Sequence, residues 1–293
     1  MKNFVLLFLP AFFLFSGCSV SQQQNQGTVA PKVFHAQIPF ETFKGVIGLD
    51  VTLNGTLRRF LFDTGADLNL IQRDSLIGKQ SSYSGASKRK MNLGKEVVSS
   101  LKIGTVDFQQ TRALNGNLEG LKEQIPNFGG IIGQPIIRKA NWLIDYPGKQ
   151  LTLSNQGLAD GSYTPIEIVR ENGHNPYTFL EMNGQRFKVI IDLGSSSVIN
   201  LPTDSEFAEA VRQTVTLSDN TRDRYTLGGL QKITEKVGVI PKIRLGDFEF
   251  EQVDVNINTS SQPRIGMPFF KDYLVYIDNA NGGGYKLKAA IQP

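Results

Sequence analysis

In 293 residues there is one cysteine, Cys18, and there are two histidines, His35 and His174. A lone cysteine excludes a disulfide within the chain. One cysteine and two histidines do not make an ordinary zinc site, so no metal is expected, and each histidine is assigned to a strand or loop. Neither sign of charge is in large excess. Lys and Arg number 31 against 27 Asp and Glu, a net charge of +4. No basic run with interleaved aromatics stands out, which argues against nucleic acid as a partner. The single tryptophan, Trp142, is assigned to the core. The length suffices for one large domain or two modest ones, each with a core of its own.

The N-terminus carries Lys2, then an apolar stretch from Phe4 to Phe15 interrupted by Pro10, then "FSGC" ending at Cys18. A bilayer span needs about 20 apolar residues, so this stretch reads as an export signal. Small residues just before a cysteine resemble the lipobox of bacterial lipoproteins. That resemblance implies a signal over 1–17, cleavage before Cys18 and a lipid on its thiol. A plain secretory signal with an incidental cysteine is the alternative. Both place the mature chain outside the cytoplasm. Ser19, rather than Asp, after the cysteine implies the outer membrane of the cell envelope, facing the periplasm, by the same resemblance. Residues 18–32 are polar and aperiodic and read as a flexible tether.

The rest of the chain repeats itself. "VTLNGTLRRFLFDTGAD" (Val51 to Asp67) lies over "LEMNGQRFKVIIDLGSS" (Leu180 to Ser196) without a gap, at an offset of 129. "LKIGTVDF" (from Leu101) resembles "IRLGDFEF" (from Ile243). "IIGQPIIRKANWLIDY" (from Ile131) resembles "RIGMPFFKDYLVYIDN" (from Arg264) at an offset of 133. Matching segments in one order signify a duplicated unit. The boundary falls in the turn-rich "NQGLADGSY" (Asn155 to Tyr163), giving lobes over 33–157 and 158–293. The units read as strands: Leu49, Val51 and Leu53 alternate with polar residues, and Asn54-Gly55 and Asn183-Gly184 are hairpin turns. Short helices are expected over Asp204 to Arg212 and after Gly133 and Gly266, where Pro135 and Pro268 suit a first helical turn. The expected fold is all-β, two homologous barrel lobes with a cleft between them and few short helices.

Each unit ends a heavily apolar strand in an aspartate, Asp63 or Asp192, followed two residues later by Gly65 or Gly194. A carboxylate at the end of a buried strand is costly unless it is paired or used. If the lobes pack about a pseudo-two-fold axis, the two acids meet. Carboxylates a few ångströms apart share one proton and titrate as a unit, which suits acid–base attack of water on an amide.

"FDTGADLNLI" (Phe62 to Ile71) and "GIIGQPII" (Gly130 to Ile137) resemble the two signatures of the retropepsin-like aspartyl proteases, and "WLIDYPGKQLTL" (Trp142 to Leu153) resembles the closing strands of bacterial members. The resemblance covers nearly all of Val33 to Ala290 as two tandem copies, the pepsin-like arrangement within one chain. It implies Asp63 and Asp192 as the catalytic pair. Thr64, Gly65 and Ala66 would support the first loop, and Leu193, Gly194 and Ser195 the second. It further implies a peptide or protein substrate, no cofactor, and a monomer holding both lobes. Two departures fall in the second copy. Leu193 stands where the family has a Thr or Ser that clasps the partner loop, and Arg264 stands where an apolar residue would precede Ile265-Gly266. These motivate the alternative of a non-catalytic lipoprotein that binds peptide or another partner on a degenerate protease fold. Asp145 and Asp278 are read as structural, and "NGGGY" (from Asn281) as a turn. Hairpins over the cleft are expected near Lys88 to Val97 and Arg224 to Ile233, with tips at Gly94, Gly228 and Gly229.

Overall fold

The structure, a computed structural model, describes residues 24–85, 90–170, 175–226 and 229–290. The export signal, Cys18, His174 and Gly228 lie outside these residues.

Three sheets make up the molecule. The first belongs to the N-terminal lobe, with strands Val46–Leu53, Thr56–Phe62, Lys90–Ile103, Val106–Gly116 and Phe128–Ile132 as its main members. The third is its counterpart in the C-terminal lobe, built on Pro176–Met182, Gln185–Asp192, Gly229–Leu245, Phe248–Asn258 and Arg264–Gly266. The second sheet joins them. Its six strands run Thr164–Ile166, Gly284–Ala289, Tyr273–Asp278, Asn141–Asp145, Gln150–Ser154, His35–Pro39. Each lobe gives three, and the two central strands, duplicates of one another, pair antiparallel from Trp142 with Ile277 to Asp145 with Leu274. An antiparallel pair of equivalent strands is what a two-fold axis through the sheet produces.

The hairpin turns form as expected. Asn54 and Asn183 take φ of 46° and 53°, and Gly55 and Gly184 follow at 88° and 78°. Asparagine and glycine tolerate this left-handed geometry, which matches the twist of the flanking strands. The helices are also near their expected places. Ser205 caps Glu206–Thr214 by accepting from the Ala208 amide at 3.2 Å. Gln134–Ile137 and the tighter 3-10 turn Met267–Phe270 each carry proline in the first turn. Among the described residues no helix is long and apolar enough to cross a membrane.

One large core runs through both lobes and the shared sheet, with Trp142 fully buried against Phe62 and Phe108 at ring separations of 5.1 and 6.4 Å. A second cluster belongs to the N-terminal lobe alone and includes Leu61, Leu70, Leu93, Leu114 and Ile131.

The expected free tether is corrected over its described part. Gln24 is fully buried. Its amide donates to the Asp67 carbonyl at 3.1 Å and accepts from Arg138 at 2.6 Å. Thr28–Ala30 then adds an antiparallel strand beside Asp107 to Gln109. Strand addition uses main-chain groups, so a polar, aperiodic sequence docks without any hydropathy pattern to announce it.

Candidate active site

The two aspartates meet, and the surrounding geometry repeats. Beside Asp63, Phe62 is paired in parallel with Ile132, and beside Asp192 that acid itself is paired with Gly266. The Ala66 amide turns back to the Asp63 carbonyl at 3.4 Å, and the Ser195 amide to the Asp192 carbonyl at 2.9 Å. Gln134 N donates to the Ala66 carbonyl at 2.9 Å, and Met267 N to the Ser195 carbonyl at 3.2 Å. Gly133 and Gly266 lie directly on those loops. A Cβ on Gly133 would stand 2.7 Å from the Ala66 oxygen, and one on Gly266 would stand 2.4 Å from the Ser195 oxygen. Each loop is thus a strand-end turn locked onto the start of a short helix.

The loops cross over one another. A Cβ on Gly65 would sit 2.8 Å from Asp192 Cγ, and one on Gly194 would sit 2.3 Å from Asp63 Cγ. Each glycine is the floor beneath the opposite carboxyl. Gly194→Ala is therefore expected to force the carboxyls apart. For a catalytic pair, misplacement by about 1 Å costs on the order of 100-fold in rate.

Thr64 is fully buried between the loops. Its hydroxyl donates to the Ile191 carbonyl at 2.7 Å and accepts from the Leu193 amide at 3.0 Å. One hydroxyl therefore makes both bonds of one arm of the clasp. The mirror-image arm has no hydroxyl, because Leu193 lies fully buried in the main core. This sets the expected effect of restoring a threonine. Leu193→Thr would gain a hydrogen bond of about 1 kcal/mol. It would also remove buried apolar atoms at about 0.8 kcal/mol per methylene and leave space behind. The variant is expected to be less stable by about 1–2 kcal/mol in denaturant melts; a gain in stability would contradict this reading of Leu193.

Arg264 is the residue whose role the sequence left open. It is 6% exposed, and its Nη1 donates to Asp192 Oδ2 at 2.6 Å while Nη2 donates to Ser261 Oγ at 3.0 Å. Its Nε has no partner among the described residues. The site is therefore a carboxyl pair with a cation on one member. Burial pushes the Asp63 carboxyl well above the usual range, aided by the Asp192 charge and by their mutual hydrogen bond. The Gly65 amide, 2.8 Å from Asp63 Oδ1, and the Arg264 charge pull the other way without reversing it. Asp63 is thus the carboxyl that burial pushes toward its protonated form, and Asp192 faces the counter-ion. The alignment of the duplicates pairs position 264 with Ile131 and marks the arginine as a departure. Its reach to Asp192 depends on strand register, which the alignment does not show.

A cleft of ≈ 660 Å³ opens over the pair. Hairpins of both lobes line it, with Tyr83, Ser84 and Met91 from the N-terminal lobe and Arg222 and Arg224 from the C-terminal lobe. The hairpin of Ser218–Thr226 and Gly229–Leu245 extends across it, and a Cβ placed on Gly120, in helix Glu119–Lys122 of the N-terminal lobe, would stand 2.6 Å from Gly229 Cα. The expected tip at Gly229 is correct to that extent. Gly94 is corrected. It pairs with Gln80 and Asn115 inside a long strand, and the turn of that hairpin falls after Ser84, largely outside the described residues. Comparison with protein-family models and with curated proteins found no match.

Proposed function

We propose that this chain is an aspartic endopeptidase that hydrolyses peptide bonds with water activated between Asp63 and Asp192. The observation that carries the reading is the mutual approach of the two loops, in which each glycine lies under the other loop's carboxyl. In this reading, Asp192 takes a proton from water as it attacks the carbonyl, and Asp63 donates its proton to the carbonyl oxygen. The tetrahedral diol then collapses with proton transfer to the leaving amine. No covalent intermediate forms. An extended peptide lies under the hairpin roof. A lipid on Cys18 tethers the chain to a bacterial membrane. Since Gln24 is docked, only residues 19–23 span the gap, at most about 20 Å.

The Arg264–Asp192 ion pair favours a second reading, a cleft that binds peptide without cleaving it. The purified full-length chain, assayed on a peptide library from acid to neutral pH in 18O-labelled water, separates the two. The first reading expects label in the new carboxyl group and no transfer of the acyl part to added amines. Saturable peptide binding without any cleavage at any pH would establish the second.

A further inference from the structure

Several duplicated positions that line the cleft differ by lobe in one sense, although Leu61 and Ile190 stay alike and Asp67 corresponds to Ser196. Ala66 and Leu68 of the first loop correspond to Ser195 and Ser197 of the second, and Ile131 corresponds to Arg264; all six line the cleft. Behind Ile131 stands the separate apolar cluster of the N-terminal lobe, whose Leu61, Leu70, Leu93 and Leu114 also reach the cleft. The C-terminal lobe instead supplies three guanidinium groups, Arg222, Arg224 and Arg264.

Two of the three are matched. Arg264 has Asp192 at 2.6 Å. Arg222 holds Glu235, which is fully buried in its side chain, at 2.5 Å. Asn258, Asn256 and Asn220 donate to that carboxylate at 2.9, 3.0 and 3.3 Å. Burial alone would raise Glu235, but the hydrogen bonds from Arg222, Asn258 and Asn220 outweigh it and hold the carboxyl below its usual range. This network fixes the hairpin that forms the roof. Arg224, two residues on along the same strand, shares a face with Arg222. It is half-buried, lines the cleft and forms no salt bridge among the described residues. Burial, then Arg264 and Arg222, depress its guanidinium below the ordinary value, with Glu235 and Asp192 offsetting them only in part. A half-buried cation beside two others gains from an anion that arrives with the ligand, and a planar guanidinium fits a carboxylate with two hydrogen bonds.

We infer that the cleft selects an asymmetric peptide, with a large apolar side chain against the N-terminal lobe and a carboxylate beside Arg224 in the C-terminal lobe. The inference rests on the peptidase reading for its substrate class and adds the polarity of that substrate. The carboxylate belongs either to an acidic side chain or to the peptide's own C-terminus.

The test uses peptides with one apolar anchor and Glu, Gln or Lys at positions on either side of the cleaved bond, each as free C-terminal acid and as amide. On one side only, Glu is expected to exceed Gln at least tenfold in kcat/KM at low salt, with the advantage shrinking as salt rises. If the free acid carries the preference instead, the terminal carboxylate is the ligand. Arg224→Gln is expected to bring the Glu-to-Gln ratio near one, and Arg224→Glu to turn it in favour of Lys. Lys242→Gln, which removes a charge that does not line the cleft, should leave the ratio as it was. A wild-type ratio near one, or a ratio that Arg224 does not control, overturns the inference. Should no peptide be cleaved, the same set is scored by binding to Asp63→Asn. A Glu or free-acid preference there sustains the inference while the hydrolysis reading fails, and the absence of any preference sinks it.

Discussion

Asp63→Asn and Asp192→Asn are each expected to lower kcat by roughly 10³-fold, the range for losing a positioned acid or base. The double variant should be little worse than either single one, because the pair acts as a unit. The two should differ in stability. Asp63 is pushed toward its protonated form by burial and by the Asp192 charge. A carboxyl whose folded pKa is raised contributes stability in acid and loses it as pH rises through that value. Asparagine replaces the protonated form with a neutral group of the same shape, so Asp63→Asn should match or exceed the parent in stability at neutral pH. Asp192→Asn should not. It leaves the Arg264 guanidinium buried without its counter-ion, and breaking one side of such a pair costs on the order of 3 kcal/mol. Melting curves and peptide turnover on the same preparations read both effects. Full activity in Asp63→Asn would end the carboxyl-pair reading, whatever its stability.

Much of this geometry was legible because the chain states it twice. One strand ending in an aspartate is an ordinary turn; two, at one offset and each with its later glycine signature, imply loops related by an axis. The shared sheet follows from the same duplication, since the equivalent strands Asn141–Asp145 and Tyr273–Asp278 lie across that axis. What escaped the sequence depends on three-dimensional register or on main-chain bonding. The docking of Thr28–Ala30 uses backbone groups that every residue possesses. The hairpin roof reaches helix Glu119–Lys122 because Gly120 leaves room for Gly229, a match of two glycines 109 residues apart that no local pattern encodes. Leu193 was legible as a missing hydroxyl but not as a core residue. Its burial shows that the second loop exchanged one clasp arm for packing, while Thr64 carries the remaining arm with both of its hydrogen-bonding capacities.

Arg264→Met is the substitution with the most to say about how the pair works. Methionine is unbranched and fills the space of the arginine stem without its charge. Removing the cation takes away a charge that pulls the Asp63 carboxyl down, so the raised Asp63 should climb further. In a bell-shaped profile the alkaline limb reports loss of the proton from the acid, and it should move upward. Stability should fall by about 3 kcal/mol, because Asp192 is left buried without its counter-ion. Arg264→Lys keeps a charge but not the fork that reaches Asp192 and Ser261 together, so it should lie between the two. An Arg264→Met chain with an unchanged pH profile and unchanged stability would mean that the guanidinium neither tunes nor holds the pair. An upward-shifted profile with a higher maximal rate would show that the arginine restrains Asp192 as a base, and that the second lobe kept its carboxyl in working order beneath that restraint.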